Sequence, residues 1–138
     1  MLERTLAKDF GEIFRDYPIL IPNNRTAGWP DRGVQIKSRI VWFELKIVQE
    51  KYGATTILVN ELTNAQAAWL AKWQYNGGQC FLFIGLIDYQ EQFSKYAILK
   101  CGNWHSWPKI PNNRVRIDQL ALFTDKYEVL KWFQSQVT

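Results

Sequence analysis

Asp31, Glu44 and Lys46 are the side chains whose types and spacing most clearly suggest chemistry in this 138-residue sequence. Asp31 closes the turn Gly28-Trp29-Pro30-Asp31, in which the proline ring restrains the backbone just ahead of the carboxylate. Thirteen residues later comes Glu44-Leu45-Lys46. Two carboxylates and a lysine converging on one strand edge would make a hard-oxygen site for Mg²⁺ or Mn²⁺. Such an ion ligates a phosphate oxygen and lowers the pKa of a bound water. The lysine would then position that water or stabilise charge developing at phosphorus.

The elements around these residues decide whether they meet. Ile40–Val48 reads as a strand whose period of two puts Val41, Phe43, Leu45 and Ile47 on an apolar face. Trp42, Glu44, Lys46 and Val48 fall on the other face, so two opposite charges sit side by side on what reads as a central strand. A bland reading of this pair is a partly exposed ion pair on a half-covered sheet. Asp31 shifts the balance, because it stands where a preceding strand, Gly33–Lys37, begins. A hairpin turning at Ser38-Arg39 would bring Asp31 beside Glu44, and an unpaired carboxylate is costly to bury without such a purpose.

The remaining periodicities supply the frame. Leu6, Phe10, Ile13 and Phe14 predict a helix over Leu2–Asp16, stopped by Pro18. A turn-rich stretch, Pro22–Gly28, follows. After the β-prone Thr55–Val59, a second helix starts near Thr63, faces inward through Trp69, Leu70 and Trp73, and stops at Gly77-Gly78. Gln79–Ile87 predicts a buried strand, Tyr96–Lys100 its partner, and Asp125–Gln136 a last helix. The order α-β-β-(β)-α-β-β-α predicts an α/β fold, a mixed sheet flanked by helices.

At 47% hydrophobic and 22% charged residues the chain suits one globular domain, residues 1–138. Its longest apolar run, Phe81–Ile87, falls well short of the ~20 residues that cross a bilayer, and no secretory h-region is visible. Cys80, Cys101 and His105 are too few for a zinc site of four His or Cys ligands, and free thiols are the simpler reading of the cysteines. The formal net charge is only +4, but Gln92–Ile117 holds Lys95, Lys100, Lys109, Arg114 and Arg116 with no acidic residue. That stretch is ordinary solvated surface unless a second feature also points to phosphate.

Pro30-Asp31 followed by Glu44-Leu45-Lys46 resembles the motif of the PD-(D/E)XK nuclease superfamily. The longer strings Gly28-Trp29-Pro30-Asp31-Arg32 and Trp42-Phe43-Glu44-Leu45-Lys46 are most similar to its VRR-NUC and Holliday-junction-resolvase-like branch. The resemblance covers Leu2–Gly85 and implies a restriction-endonuclease-like core. It also implies a Mg²⁺- or Mn²⁺-dependent endonuclease that hydrolyses phosphodiester bonds, with branched or junction DNA as its partner. Asp31 and Glu44 would be metal ligands with the Leu45 carbonyl as a third, and Lys46 would orient or activate water. Small resolvase-like members are often homodimers, and compact versions occur in phage genomes, so the implied setting is the cytoplasm of a bacterial or phage-infected cell. A chain that keeps the fold but only binds nucleic acid, or serves assembly, is the alternative.

Gln66 carries two compatible readings. Thr63-Asn64-Ala65-Gln66 fits a capping box. Gln66 also shares a helical face with Trp69, Leu70 and Trp73, and in VRR-NUC-like nucleases a glutamine opening this helix lies beside the catalytic strand. The resemblance further implies an acidic residue on the first helix. Glu3 shares a face with Ala7, Phe10 and Phe14, whereas Glu12 lies with Lys8, Asp9 and Asp16, so Glu3 is favoured. Trp29 is the aromatic expected nearest substrate. The expected phosphate contacts are Arg25, Arg32, Lys37 and Arg39 around the hairpin, with Lys109, Arg114 and Arg116. Trp104 and Trp107 read better as cover for a sheet edge than as base-stacking groups, and His105 as surface. Three acids committed to metal would raise the charge of the remaining surface from +4 to +7, in keeping with a polyanionic partner.

Overall fold

The computed structural model describes residues 2–23, 28–50, 56–58, 63–100, 114–116 and 120–137, with backbone alone at 56–58, 94, 100 and 114–116. In chain order the elements are α1 (Leu2–Ile13), β1 (Ile19–Leu20), β2 (Arg32–Ile36), β3 (Arg39–Gln49), β4 (Thr56–Leu58), α2 (Asn64–Tyr75), β5 (Cys80–Ile87), β6 (Phe93–Lys100), β7 (Arg114–Arg116), β8 (Ala121–Phe123) and α3 (Lys126–Gln136). Six strands form one sheet in the order β1-β2-β3-β5-β6-β8, and β4 pairs with β7 in a separate two-stranded sheet. The pair β3–β5 is parallel and every other pair is antiparallel. A parallel neighbour needs a crossover connection, and α2 lies within it.

β5 is buried at all eight positions because it lies inside the sheet with helices over both faces. On one face, Phe10 and Phe14 from α1 and the turn after it meet Phe43, Phe81, Phe83 and Phe133 of α3. On the other, Leu70 of α2 covers Trp42, Leu82 and Ile84. The alternation of β3 is therefore as the sequence requires: Val41, Phe43, Leu45 and Ile47 face α1 and α3, while Trp42 and Val48 face α2.

Several boundaries differ from the sequence expectation. α1 ends at Ile13 rather than Asp16, although Phe14 in the following turn is still fully buried. The hairpin turns at Lys37-Ser38, one residue earlier than expected, with φ of 49° and 62°. Positive φ at both central residues matches the right-handed twist of the flanking strands. Asp9 is not on a solvated face: it is buried, accepts a hydrogen bond from Tyr96 Oη at 2.5 Å and pairs with Lys126 at 3.0 Å. Among the described residues, no helix is long and apolar enough to cross a membrane.

Candidate active site

The hairpin register places the two acids. β2 and β3 pair Arg32 with Phe43, so Asp31, one residue ahead of β2, stands across from Glu44. β3 continues for six residues beyond Phe43, past the last β2 pair. The backbone N–H of Leu45, on the edge beyond the last β2 pair, donates to Asp31 Oδ2 at 2.9 Å. Arg32 Nη1 donates to the Asp31 carbonyl at 2.8 Å, holding the same turn from the other side.

Gly28 anchors the turn from below. It has φ of +88°, and a Cβ built there would run into the carbonyl of Ala65 in the first turn of α2. Only glycine tolerates both the conformation and the close approach. The aspartate turn is thereby seated on the helix start that carries Gln66.

Glu44 is 2% exposed and Lys46 8% exposed, both buried on the α2 side of β3. Burial raises the Glu44 carboxyl to about 9; its hydrogen bond with Asp31 and the Asp31 charge push the same way, and Lys46 opposes them. Glu44 Oε2 and Trp42 Nε1 are the buried side-chain polar atoms that lack a hydrogen-bond partner among the described residues. A partnerless carboxylate oxygen at this depth is a costly arrangement unless something cationic completes it.

A cavity of about 520 Å³ opens over this edge, with Asp31, Glu44, Lys46, Gln66 and Glu3 all in its wall. Arg32 and Leu45 also line it. Glu3 is exposed, and its carboxyl is held below the usual range chiefly by a hydrogen bond to its own backbone. Glu12, the other helix-one candidate, bonds Lys126 at 2.8 Å and faces α3 instead. Gln66 completes the capping box: its N–H donates to Thr63 Oγ1 at 3.1 Å, and its Oε1 accepts from the Thr63 N–H at 2.9 Å.

The donor set suits a small hard cation. Two carboxylates approach one another, one has an oxygen with no partner, and no sulfur or imidazole intrudes among the described residues. Among those residues, however, no group of three His, Cys, Asp or Glu is gathered as a metal cluster, so Glu3 lies at the cavity wall rather than in a three-acid centre.

The basic residues divide. Arg32 reaches the cavity, whereas Lys37 lies in the hairpin turn and Arg39 directly after it, Arg39 about 16 Å along β3 from Glu44 at ~3.3 Å per residue. Arg114 and Arg116 lie on β7, outside the six-stranded sheet, and only their backbone is described. Arg25, Lys109, Cys101, Trp104, His105 and Trp107 lie outside the described residues. Trp29 is 39% exposed and packs against Trp42 and Trp69 at centroid distances of 6.0 and 5.4 Å, and it is not among the residues that line the cavity. Leu2, Leu6 and Ala7 of α1 also line the cavity, a role the sequence does not single out. Their only signal is helical spacing around Glu3.

The fold is a mixed α/β architecture with helices on both faces of its sheet, and it is similar to that of a solved resolvase. A solved structure similar to this chain is Hjc, a Holliday junction resolvase from the archaeal hyperthermophile Archaeoglobus fulgidus. The TM-score is 0.56 at 11% sequence identity, covering 94% of this chain and 97% of that one. No protein-family profile and no curated protein matches the sequence.

Proposed function

We propose that this chain is a single-domain, divalent-metal-dependent endonuclease that hydrolyses phosphodiester bonds in branched DNA. The observation that carries the reading is the buried Glu44, with its partnerless oxygen, facing the part-buried Asp31 beside Lys46 in an open cavity. Asp31 and Glu44 would hold Mg²⁺ or Mn²⁺, with the carbonyl of Leu45, which also lines the cavity, as a third ligand. When bound, that ion supplies a Lewis acid for a phosphate oxygen and an acidified water. Asp31 is held in place by the Leu45 N–H, and Lys46 presents an ammonium that orients the attacking water and offsets charge at phosphorus. Arg32 stands in the cavity wall to receive the substrate's anionic backbone.

Likeness to a Holliday junction resolvase supports a branched substrate, and the reading includes a homodimer that engages two strands at once, acting in the cytoplasm. The test is cleavage of supercoiled plasmid and of synthetic four-way, flap and duplex DNA in Mg²⁺, Mn²⁺ or EDTA. Cleavage should require the metal and vanish in Glu44→Ala and Lys46→Ala. Activity that survives both substitutions would belong to a contaminant. DNA binding without cleavage by the unsubstituted chain would leave a binding protein in place of an enzyme.

A further inference from the structure

The capping box of α2 fixes which end of the Gln66 amide is left for other partners. A backbone N–H can be satisfied only by an acceptor, so the Gln66 atom 2.9 Å from the Thr63 nitrogen must be its carbonyl oxygen. The remaining polar end is the NH₂, which only donates. Gln66 lines the same cavity as Asp31, Glu44 and Lys46. Its position relative to Asp31 is set by the contact of Gly28 with the Ala65 carbonyl one residue earlier.

We infer that Gln66 donates its amide NH₂ to an anionic oxygen of the phosphodiester in the cavity, while its carbonyl oxygen holds the helix start. This rests on the proposed function and assigns Gln66 to the substrate rather than to the metal. An NH₂ group offers a cation nothing, and a phosphate oxygen is the acceptor the other residues of this cavity would bring to it. The arrangement uses one side chain for two tasks at opposite ends: the cap removes the rotamer freedom that a long polar side chain would otherwise lose on binding.

The two tasks separate by substitution. Gln66→Glu keeps an acceptor for the Thr63 N–H, and glutamate at this position completes the same box, but it has no NH₂. Gln66→Ala removes the donor without adding charge. Thr63→Ala weakens the cap and leaves the Gln66 amide intact. Each variant is melted in EDTA and assayed for single-turnover cleavage of a four-way DNA junction in Mg²⁺.

Gln66→Glu should melt at or above the unsubstituted protein, and both Gln66 variants should cleave about tenfold more slowly. Thr63→Ala should melt about 4 °C lower and cleave at the unsubstituted rate. Either Gln66 variant cleaving normally would overturn the inference. So would a loss in Thr63→Ala equal to that in Gln66→Ala, which would make the cap the whole effect. If the unsubstituted chain cleaves no better than Glu44→Ala, the proposed function itself falls; the Gln66 inference fails alone only when the parent protein is active.

Discussion

Replacing Glu44 by Gln should make the metal-free protein more stable, and increasingly so as pH rises. The folded carboxyl has a pKa of about 9 against an ordinary value of 4.5, because burial and Asp31 both disfavour its charge. Between those values the folded state holds one proton more than the unfolded state. Stability supplied by the protonated form is therefore complete below pH 4.5 and is lost progressively as pH climbs toward 9. At ~1.4 kcal/mol per pH unit, the cost at pH 7 is about 3 kcal/mol. Glutamine is neutral in both states, is nearly isosteric, and offers an N–H to Asp31 where protonated Glu44 offers its O–H. For a chain of this size that difference is on the order of 10 °C in melting temperature. Melting curves in EDTA at pH 5, 7 and 8.5 should show the advantage of Glu44→Gln opening from near zero. Adding Mg²⁺ should then raise only the parent protein, by about 1.4 kcal/mol at ten times the dissociation constant. A Glu44→Gln variant that melts lower at every pH, or by a margin that ignores pH, would refute the reasoning that Glu44 is buried against its charge.

Other consequences follow from the same geometry. Metal binding must displace the proton that Glu44 holds below about pH 9, so affinity for Mg²⁺ should rise about tenfold per pH unit between about pH 6 and 8. Calorimetry in buffers of different ionisation enthalpy should register about one proton released; none released would contradict it. Gly28→Ala forces a side chain into φ +88° and against the Ala65 carbonyl, and should cost about 1–3 kcal/mol. It should slow cleavage far more than Gly77→Ala, also at positive φ but with open space around it; equal activities would detach Gly28 from the site. Substituting Lys37 and Arg39 together by Gln should flatten the salt dependence of DNA binding by about two in log–log slope. The cleavage rate of bound substrate should stay unchanged, because both residues sit at the far end of the hairpin from Glu44. A change in that rate would show them acting at the cavity.

Long periodic elements are legible in the sequence, and so are the charges that interrupt them. β3 and β5 are eleven and eight residues long, enough for alternation or a continuous apolar run to register. β1, β7 and β8 have two or three residues each, too few for any period to mark them as strands. Glu44 stands out because it and Lys46 are the charges that interrupt a stretch, Ile40–Val48, that is otherwise apolar on both faces. Asp9 does not, because its partners, Tyr96 and Lys126, come from elements 87 and more residues away, and a helix-face pattern treats any carboxylate as solvated. The choice of Glu3 over Glu12 rests on helix face, which places Glu3 at the cavity and Glu12 against Lys126. Face says nothing of depth, and Glu3 is exposed rather than gathered with the other two acids.

The candidate site lies where β2 stops and β3 continues. An unaccompanied strand edge presents backbone donors that invite another chain, and here Asp31 occupies the Leu45 N–H at 2.9 Å. The same carboxylate is thereby asked to do two things, to end the ladder and to face Glu44. Asp31→Asn keeps an oxygen for the Leu45 N–H but removes the charge that helps to keep Glu44 protonated. It should fold as well as the parent, lower the Glu44 pKa, and lose Mg²⁺-dependent stabilisation and cleavage. Asp31→Ala removes the acceptor as well and should be less stable than Asp31→Asn by about 1–2 kcal/mol, the cost of leaving a part-buried N–H unpaired. Denaturant titrations of both variants in EDTA, with melts in Mg²⁺ beside them, separate the structural task from the chemical one. If Asn and Ala are equally stable, the Leu45 bond contributes nothing. If Asn retains the Mg²⁺ response, the cation does not need the Asp31 charge, and the two-carboxylate site gives way to one centred on Glu44 alone.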